Sequence, residues 1–169
     1  SLKKDVTRIS EVADRFSKIG SKIKLEEIDL VDILKNIKNY FDKRLSKNHK
    51  IILNLNKNNT IKLNGDKILL FWAFENIIKN SIDAIERKEG LITINLETTK
   101  KNIIIDFIDN GKGISRKEKI NIFRAGYSTK PRGWGLGLSL TKRILENIHL
   151  GQFYLISSTD KITTFRFKL

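Results

Sequence analysis

Cysteine and methionine are both missing from this 169-residue chain, and proline occurs once, at Pro131. Without cysteine there is neither a disulfide framework nor a thiolate metal site, which fits a reducing compartment and excludes zinc–thiolate chemistry. No apolar run approaches the roughly 20 residues of a membrane-spanning helix, and no apolar signal-peptide block stands at the N-terminus, so the segment is expected to be soluble. The chain opens on Ser1 rather than methionine and reads as a piece of a longer protein. Positive charge is abundant: 33 Lys and Arg against 19 Asp and Glu leave a formal +14. Such an excess suits binding to nucleic acid or an anionic membrane. Here the lysines are scattered through Ile- and Asn-rich text such as "KNIKNYFDKRLSKNHK" (35–50) rather than gathered in a patch, so no nucleic-acid partner is expected.

The length suits one domain with an extra element at one end. Leu2, Val6, Ile9, Val12, Ala13, Phe16 and Ile19 recur at steps of three and four, which predicts a helix with an apolar seam ending at Gly20-Ser21. "KIKLEEIDL" (22–30) then reads as a linker. Asp29 is placed to cap a second helix reaching about Leu45, with Ile33, Leu34, Ile37, Tyr40 and Phe41 on its buried side. "KIILNLN" and "TIKLN" are β-rich and flank a turn-like Lys57-Asn58-Asn59. A long helix from Asp66 to about Arg87 follows, then strands "LITINLETT" and "NIIIDFIDN", a brief helix over 116–123, a loop through Pro131, a helix after the glycines, and strands "QFYLISST" and "ITTFRFKL". The order implies an α+β fold: a two-layer α/β sandwich, with one mixed sheet covered by helices on a single face and preceded by an N-terminal helix.

On the long helix, Leu70, Phe74, Ile77, Ser81 and Ile85 fall on the side expected to face the sheet, and Glu75, Lys79 and Glu86 on the side expected to face water. A third stripe carries Asn76, Asn80, Asp83 and Arg87, between the small residues Ala73 and Ala84. These asparagines are either solvated helix residues or ligands. Asparagine competes with the helix backbone for hydrogen bonds, so its repetition at i, i+4 asks for a reason. Its amide oxygen is a hard ligand of the kind Mg²⁺ accepts alongside phosphates and water.

Two glycine loops follow. "IDNGKGI" (108–114) ends a strand at Asp109-Asn110 and turns through Gly111 and Gly113. A carboxylate at a strand end can accept from an exocyclic amine while glycines admit a flat ring, yet Asp-Asn-Gly is also an ordinary turn. "GWGLGLSLTKRI" (133–144) puts Gly133, Gly135 and Gly137 before a helix, where free N–H groups favour an anion. Neither the P-loop nor the dinucleotide fingerprint fits it.

Taken in order, the Asn-x-x-x-Asn helix, Asp-x-Gly-x-Gly, "FRAGYSTK" (123–130) and Gly-x-Gly-Leu-Gly-Leu resemble the ATP-binding domain of sensor histidine kinases, within the wider superfamily that includes gyrase and heat-shock ATPases. The resemblance covers about 26–169, and residues 1–22 resemble the end of the dimerisation and histidine-phosphotransfer helix plus a linker. By that resemblance ATP and Mg²⁺ are the cofactors, Asn80 holds the metal, and Asn76 and Asp83 flank it. Asp109 selects adenine, with Gly111, Gly113 and Ile114 around the base. Ser128, Thr129 and Lys130 reach the phosphates, and Lys130 offsets charge during transfer. Gly133, Trp134, Gly135, Leu136, Gly137 and Leu138 form the box that closes over the triphosphate.

Related hydrolases carry a glutamate where Asn76 stands, so slow hydrolysis and transfer to another nucleophile are implied. The acceptor histidine lies outside the chain; His49 and His149 are expected to be structural. Trp134 departs from the family's usual small or hydroxyl residue, and is open to capping the nucleotide, packing on the phosphotransfer helix, or anchoring the lid to its own domain. The implied partners are the upstream phosphotransfer domain, a second copy in a homodimer of the whole protein, and a response regulator. The implied location is cytoplasmic, with inner-membrane anchoring of the parent left open. Two other readings use the same residues: a nucleotide-binding scaffold without kinase activity, and a nucleic-acid-binding ATPase, which would need a base at position 76.

Overall fold

The computed structural model describes residues 2–57, 59–131 and 133–169, with side chains from residue 6 onward apart from Arg8, Ile9, Val12 and Phe16. Helix α1 (Leu2–Gly20) matches its expected span. Of its seam, Leu2, Ile9, Val12 and Phe16 have side chains outside the described set; Ile19 is buried, whereas Val6 and Ala13 are exposed.

The stretch expected to be a linker contains a strand. β1 (Glu26–Asp29) pairs antiparallel with β3 (Lys62–Gly65), Ile28 opposite Leu63. Its sequence is short and polar, so its identity as a strand comes from its partner and from the one buried side chain, Ile28. Asp29 then does two things: it accepts from the Val31 N–H at 3.0 Å, capping α2 (Leu30–Asp42), and from the Ile61 N–H at 3.1 Å, tying the small sheet to the helix. The expected single sheet is therefore two sheets. β2 (His49–Asn54) and β3 lie on either side of the turn-like segment, whose Asn58 is outside the described residues, yet they do not pair with each other.

The main sheet runs β2-β4-β5-β7-β6, with β4 (Gly90–Thr98), β5 (Ile103–Asp109), β6 (Gln152–Ser158) and β7 (Thr163–Lys168). β2 is parallel to β4 and the other pairs are antiparallel, so the sheet is mixed. Alternate residues Ile92, Ile94, Leu96, Ile105, Phe107, Phe165 and Phe167 are buried, while the intervening ones are partly open, so one face carries the core and the other meets water. On the open face Arg166 holds Asp106 through two bonds of 2.7 Å from the neighbouring strand.

Against the covered face lies α3 (Lys67–Ala84), capped by Asp66, whose carboxylate accepts from the Ile68 and Leu69 N–H groups at 3.0 and 2.9 Å. Leu70, Phe74, Ile77, Ser81 and Ile85 are buried, as expected of the covered side. The helix ends three residues early. Ile85 is extended, and the Lys112 N–H donates to the Ala84 carbonyl at 2.9 Å, so the glycine loop after β5 terminates the helix and leaves Arg87 outside it, donating to the Asp160 carbonyl at 3.1 Å. The brief helix α4 (Arg116–Lys119) carries a Ser115/Glu118 capping box and is shorter than expected. Helix α5 (Gly137–Lys142) continues as a π-helical segment, Arg143–Ile148. His149, expected to be structural, is buried: its Nε2 accepts from the Asp66 N–H at 3.0 Å and its Nδ1 lies 2.8 Å from the Ile144 carbonyl. It thereby ties the end of one helix to the start of another. Among the described residues no helix is long and apolar enough to cross a membrane.

Candidate functional site

One cavity of about 790 Å³ opens between α3, the end of β5 and the loop before α5, a volume within the range of small-molecule sites. Its α3 wall carries Asn76, Asn80 and Asp83, the stripe picked out by the 3.6-residue period. Its inner end carries Asp109, Gly113 and Ile114. Ser128, Thr129, Lys130, Gly133 and Trp134 form the loop side, and Gly135, Leu136, Gly137 and Leu138 lead into α5. Of the residues expected at the site, Gly111 alone does not line the cavity. It packs instead on Ala84 and donates its N–H to Asp109 Oδ1 at 2.9 Å.

Asp109 is 3% exposed. Its Oδ2 accepts from the Ser81 hydroxyl at 2.9 Å, so the helix side chain expected merely to face the sheet instead orients the carboxylate. Burial pushes the Asp109 carboxyl above its ordinary range, against the opposing pull of the Gly111 N–H and the Ser81 hydroxyl. A carboxylate has about four acceptor positions, so two remain for a donor in the cavity. Gly113 adopts φ +82°, and a Cβ there would stand 1.8 Å from the Thr159 carbonyl oxygen. Only glycine lets this loop pass the β6–β7 turn.

At the other end Asn76 Nδ2 is buried with no hydrogen-bond partner. Such an orphaned donor costs about 1–3 kcal/mol, and an acceptor entering the cavity would satisfy it. The start of α5 faces the same amide: a Cβ on Gly137 would lie 3.9 Å from Asn76 Cγ. The N-cap of α5, Leu136, contributes no side-chain bond to its first N–H groups. Lys130 reaches across from the loop, donating to Asn80 Oδ1 at 3.2 Å and forming an ion pair with Asp83. The Asn80 amide oxygen, a hard ligand by chemistry, thus already holds a cation. Among the described residues no cluster of three His, Asp or Glu could bind a metal unaided, so a cation here would draw most ligands from a bound anion and water, as Mg²⁺ does.

The loop is internally tied. The Gly126 N–H donates to the Gly135 carbonyl at 2.9 Å and the Gly133 N–H to that of Lys130 at 3.1 Å. Its root is held by Phe123, edge-on to Phe153 at 5.6 Å. Trp134 is 54% exposed, which leaves it unburied by its own domain.

Glu75 departs from expectation. It is 5% exposed rather than on the water side, because Arg15 of α1 covers it at 2.9 Å and Lys79 binds its other oxygen at 2.9 Å. Arg15 also lines the cavity. Nothing in the spacing of the sequence signals that contact, which joins residues 60 positions apart.

Residues 65–169 match the family described as histidine kinase-, DNA gyrase B- and HSP90-like ATPase. The chain belongs to that family. This ATPase-family chain is 34% identical over 138 residues to sporulation kinase C of Bacillus subtilis, a match taking in 81% of the chain and 32% of that protein. Sporulation kinase B of the same organism is 37% identical over 105 residues, 62% of the chain and 24% of that protein. The chain therefore spans about a third or less of these curated relatives. In fold it is similar to the catalytic domain of histidine kinase ThkA, with a TM-score of 0.77 at 22% identity over 87% of the chain and 95% of that domain. The chain is thus an α+β member of this ATPase family.

Proposed function

We propose that the chain is the ATP-binding catalytic domain of a sensor histidine kinase, residues 26–169, following the end of its phosphotransfer helix. The reaction is transfer of the ATP γ-phosphoryl group to a histidine outside this chain, for relay to an aspartate of a response regulator. The observation that supports it best is the convergence, in one cavity, of the buried Asp109 carboxylate with the orphaned amide of Asn76 and the Asn80–Lys130 contact.

Asp109, fixed by Ser81 and Gly111, accepts from the adenine amine, and Gly113 and Ile114 admit the ring. Asn76 donates its free N–H to a phosphate oxygen. Asn80 offers its amide oxygen to Mg²⁺, which when bound would neutralise phosphate charge. Lys130 leaves Asn80 and Asp83 for the phosphates, carrying its charge toward the group in transfer. No carboxylate stands where related hydrolases place their base: Asn76 is an amide, and its neighbour Glu75 does not line the cavity and is held by two cations. The bound triphosphate is therefore preserved for an incoming histidine rather than spent on water.

In the whole parent protein, incubation with γ-labelled ATP and Mg²⁺ should label a histidine, giving an acid-labile, base-stable phosphoryl group, while this chain alone binds ATP without becoming labelled. Rapid release of free phosphate with no labelled histidine would refute the kinase reading and favour the hydrolase.

A further inference from the structure

We propose that Arg15 of α1 is a phosphate-contacting residue of the nucleotide cavity, so that docking of α1 on α3 and nucleotide binding strengthen one another. This rests on reading the cavity as a triphosphate site.

Among the described residues, charged groups join α1 to α3. Arg15 Nη2 binds Glu75 Oε2 at 2.9 Å, its guanidinium lies 5.0 Å from the Trp72 ring centre, Lys18 Nζ lies 5.6 Å from the same ring, and Lys18 is 3.9 Å from the Asp66 carboxylate. Glu75 is the hinge of the arrangement: one oxygen serves Arg15 and the other Lys79. Both cations line the cavity beside Asn76 and Asn80, but the carboxylate that neutralises them does not. A guanidinium carries five donors, and Glu75 uses one of Arg15's. Among the described residues the others have no hydrogen-bond partner, which leaves them for phosphate oxygens, to which a planar, weakly hydrated guanidinium is well suited.

The sign follows from charge. A triphosphate in the cavity gains from Arg15 only while α1 is docked, and α1 gains from the added anion only while the site is filled. Coupling of this kind is reciprocal, so each event shifts the other by the same factor. Through this contact the end of the upstream helix and the state of the cavity inform each other without any residue of the helix entering the chemistry.

The test uses the chain itself, with calorimetric titration of the magnesium complex of a non-hydrolysable ATP analogue and hydrogen exchange across α1. Arg15→Gln should weaken binding at least about fivefold, and Arg15→Lys should recover part of the loss. Adenosine, without phosphates, should bind both forms alike. Exchange at residues 13–20 should slow on nucleotide addition in the unsubstituted chain and stay unchanged in Arg15→Gln. Glu75→Gln, which removes the charge that holds Arg15 and α1 on α3, should weaken binding, but by no more than Arg15→Gln does. Equal affinities with and without Arg15, or faster α1 exchange on binding, would overturn the proposal and leave the cavity's assignment standing. A larger loss in Glu75→Gln than in Arg15→Gln would mean that the helix contact sustains the cavity without a phosphate bond from the guanidinium, and would overturn it as well. Absence of any binding by the unsubstituted chain would overturn the nucleotide reading first, and this inference with it.

Discussion

Replacing Asp109 by asparagine should separate binding from stability, moving them in opposite directions. The carboxylate is buried, takes one bond each from Ser81 and Gly111, and has its remaining acceptor positions turned to the cavity. The substituted amide keeps an oxygen for the Gly111 N–H, and the Ser81 hydroxyl can rotate to accept from the new NH₂ group. What the site loses is a charged acceptor for an amine, worth about 1.5–3 kcal/mol, or about ten- to 150-fold in affinity. Stability follows the other sign. Burial raises the folded-state carboxyl above its ordinary 3.8, so the folded chain binds more protons than the unfolded one between 3.8 and the raised value. Its contribution is fully present below 3.8 and is lost as pH rises through the folded value. An uncharged amide at this position removes that loss. Calorimetric titration with ATP should show the drop in affinity, while thermal unfolding at pH 7 should show a Tm equal to or above that of the unsubstituted chain, with a flatter dependence above pH 4. An affinity within about threefold of the original, less than 1 kcal/mol, would refute the role given to Asp109.

Three further outcomes are expected. Gly135 has φ +67°, and a Cβ there would stand 2.4 Å from Gly126 C and 2.5 Å from Tyr127 N, so Gly135→Ala should break the loop's internal tie, removing exchange protection of the Gly126 amide and weakening ATP binding. Lys130→Ala removes an exposed ion pair and the bond to Asn80; loop opening should rise no more than about fivefold, as befits roughly 1 kcal/mol, while labelling of the parent's histidine falls far more. His149 is held neutral by burial, its pKa below the usual 6.5. The stability it contributes is therefore present above 6.5 and lost as pH falls toward the folded value, which amide exchange at Asp66, whose N–H it accepts, should report.

Most of the secondary structure was legible because periodicity and capping are local. Asp29 and Asp66 cap the helices they precede, and the strand spans agree to within a few residues. The resemblance to sensor kinases rested on four short boxes in order, and the family match over residues 65–169 agrees with it. What local pattern missed were features defined by a distant partner. β1 is a strand only because β3 lies beside it, and α3 stops at Ala84 because the loop after β5 takes that carbonyl.

The sequence by itself determined most of the helices and strands, though not β1 or the end of α3, together with the amide stripe on α3 and the glycine positions, since each follows from spacing, side-chain chemistry or freedom of φ within one segment. Tertiary structure alone decided that Ser81 and Gly111 orient Asp109, that Lys130 occupies Asn80, and that Glu75 is buried under Arg15 rather than bathed in water. Those contacts join residues 28, 50 and 60 positions apart, apart from the local Gly111 bond, and no periodicity within a helix or strand carries information about what packs against it from elsewhere in the chain.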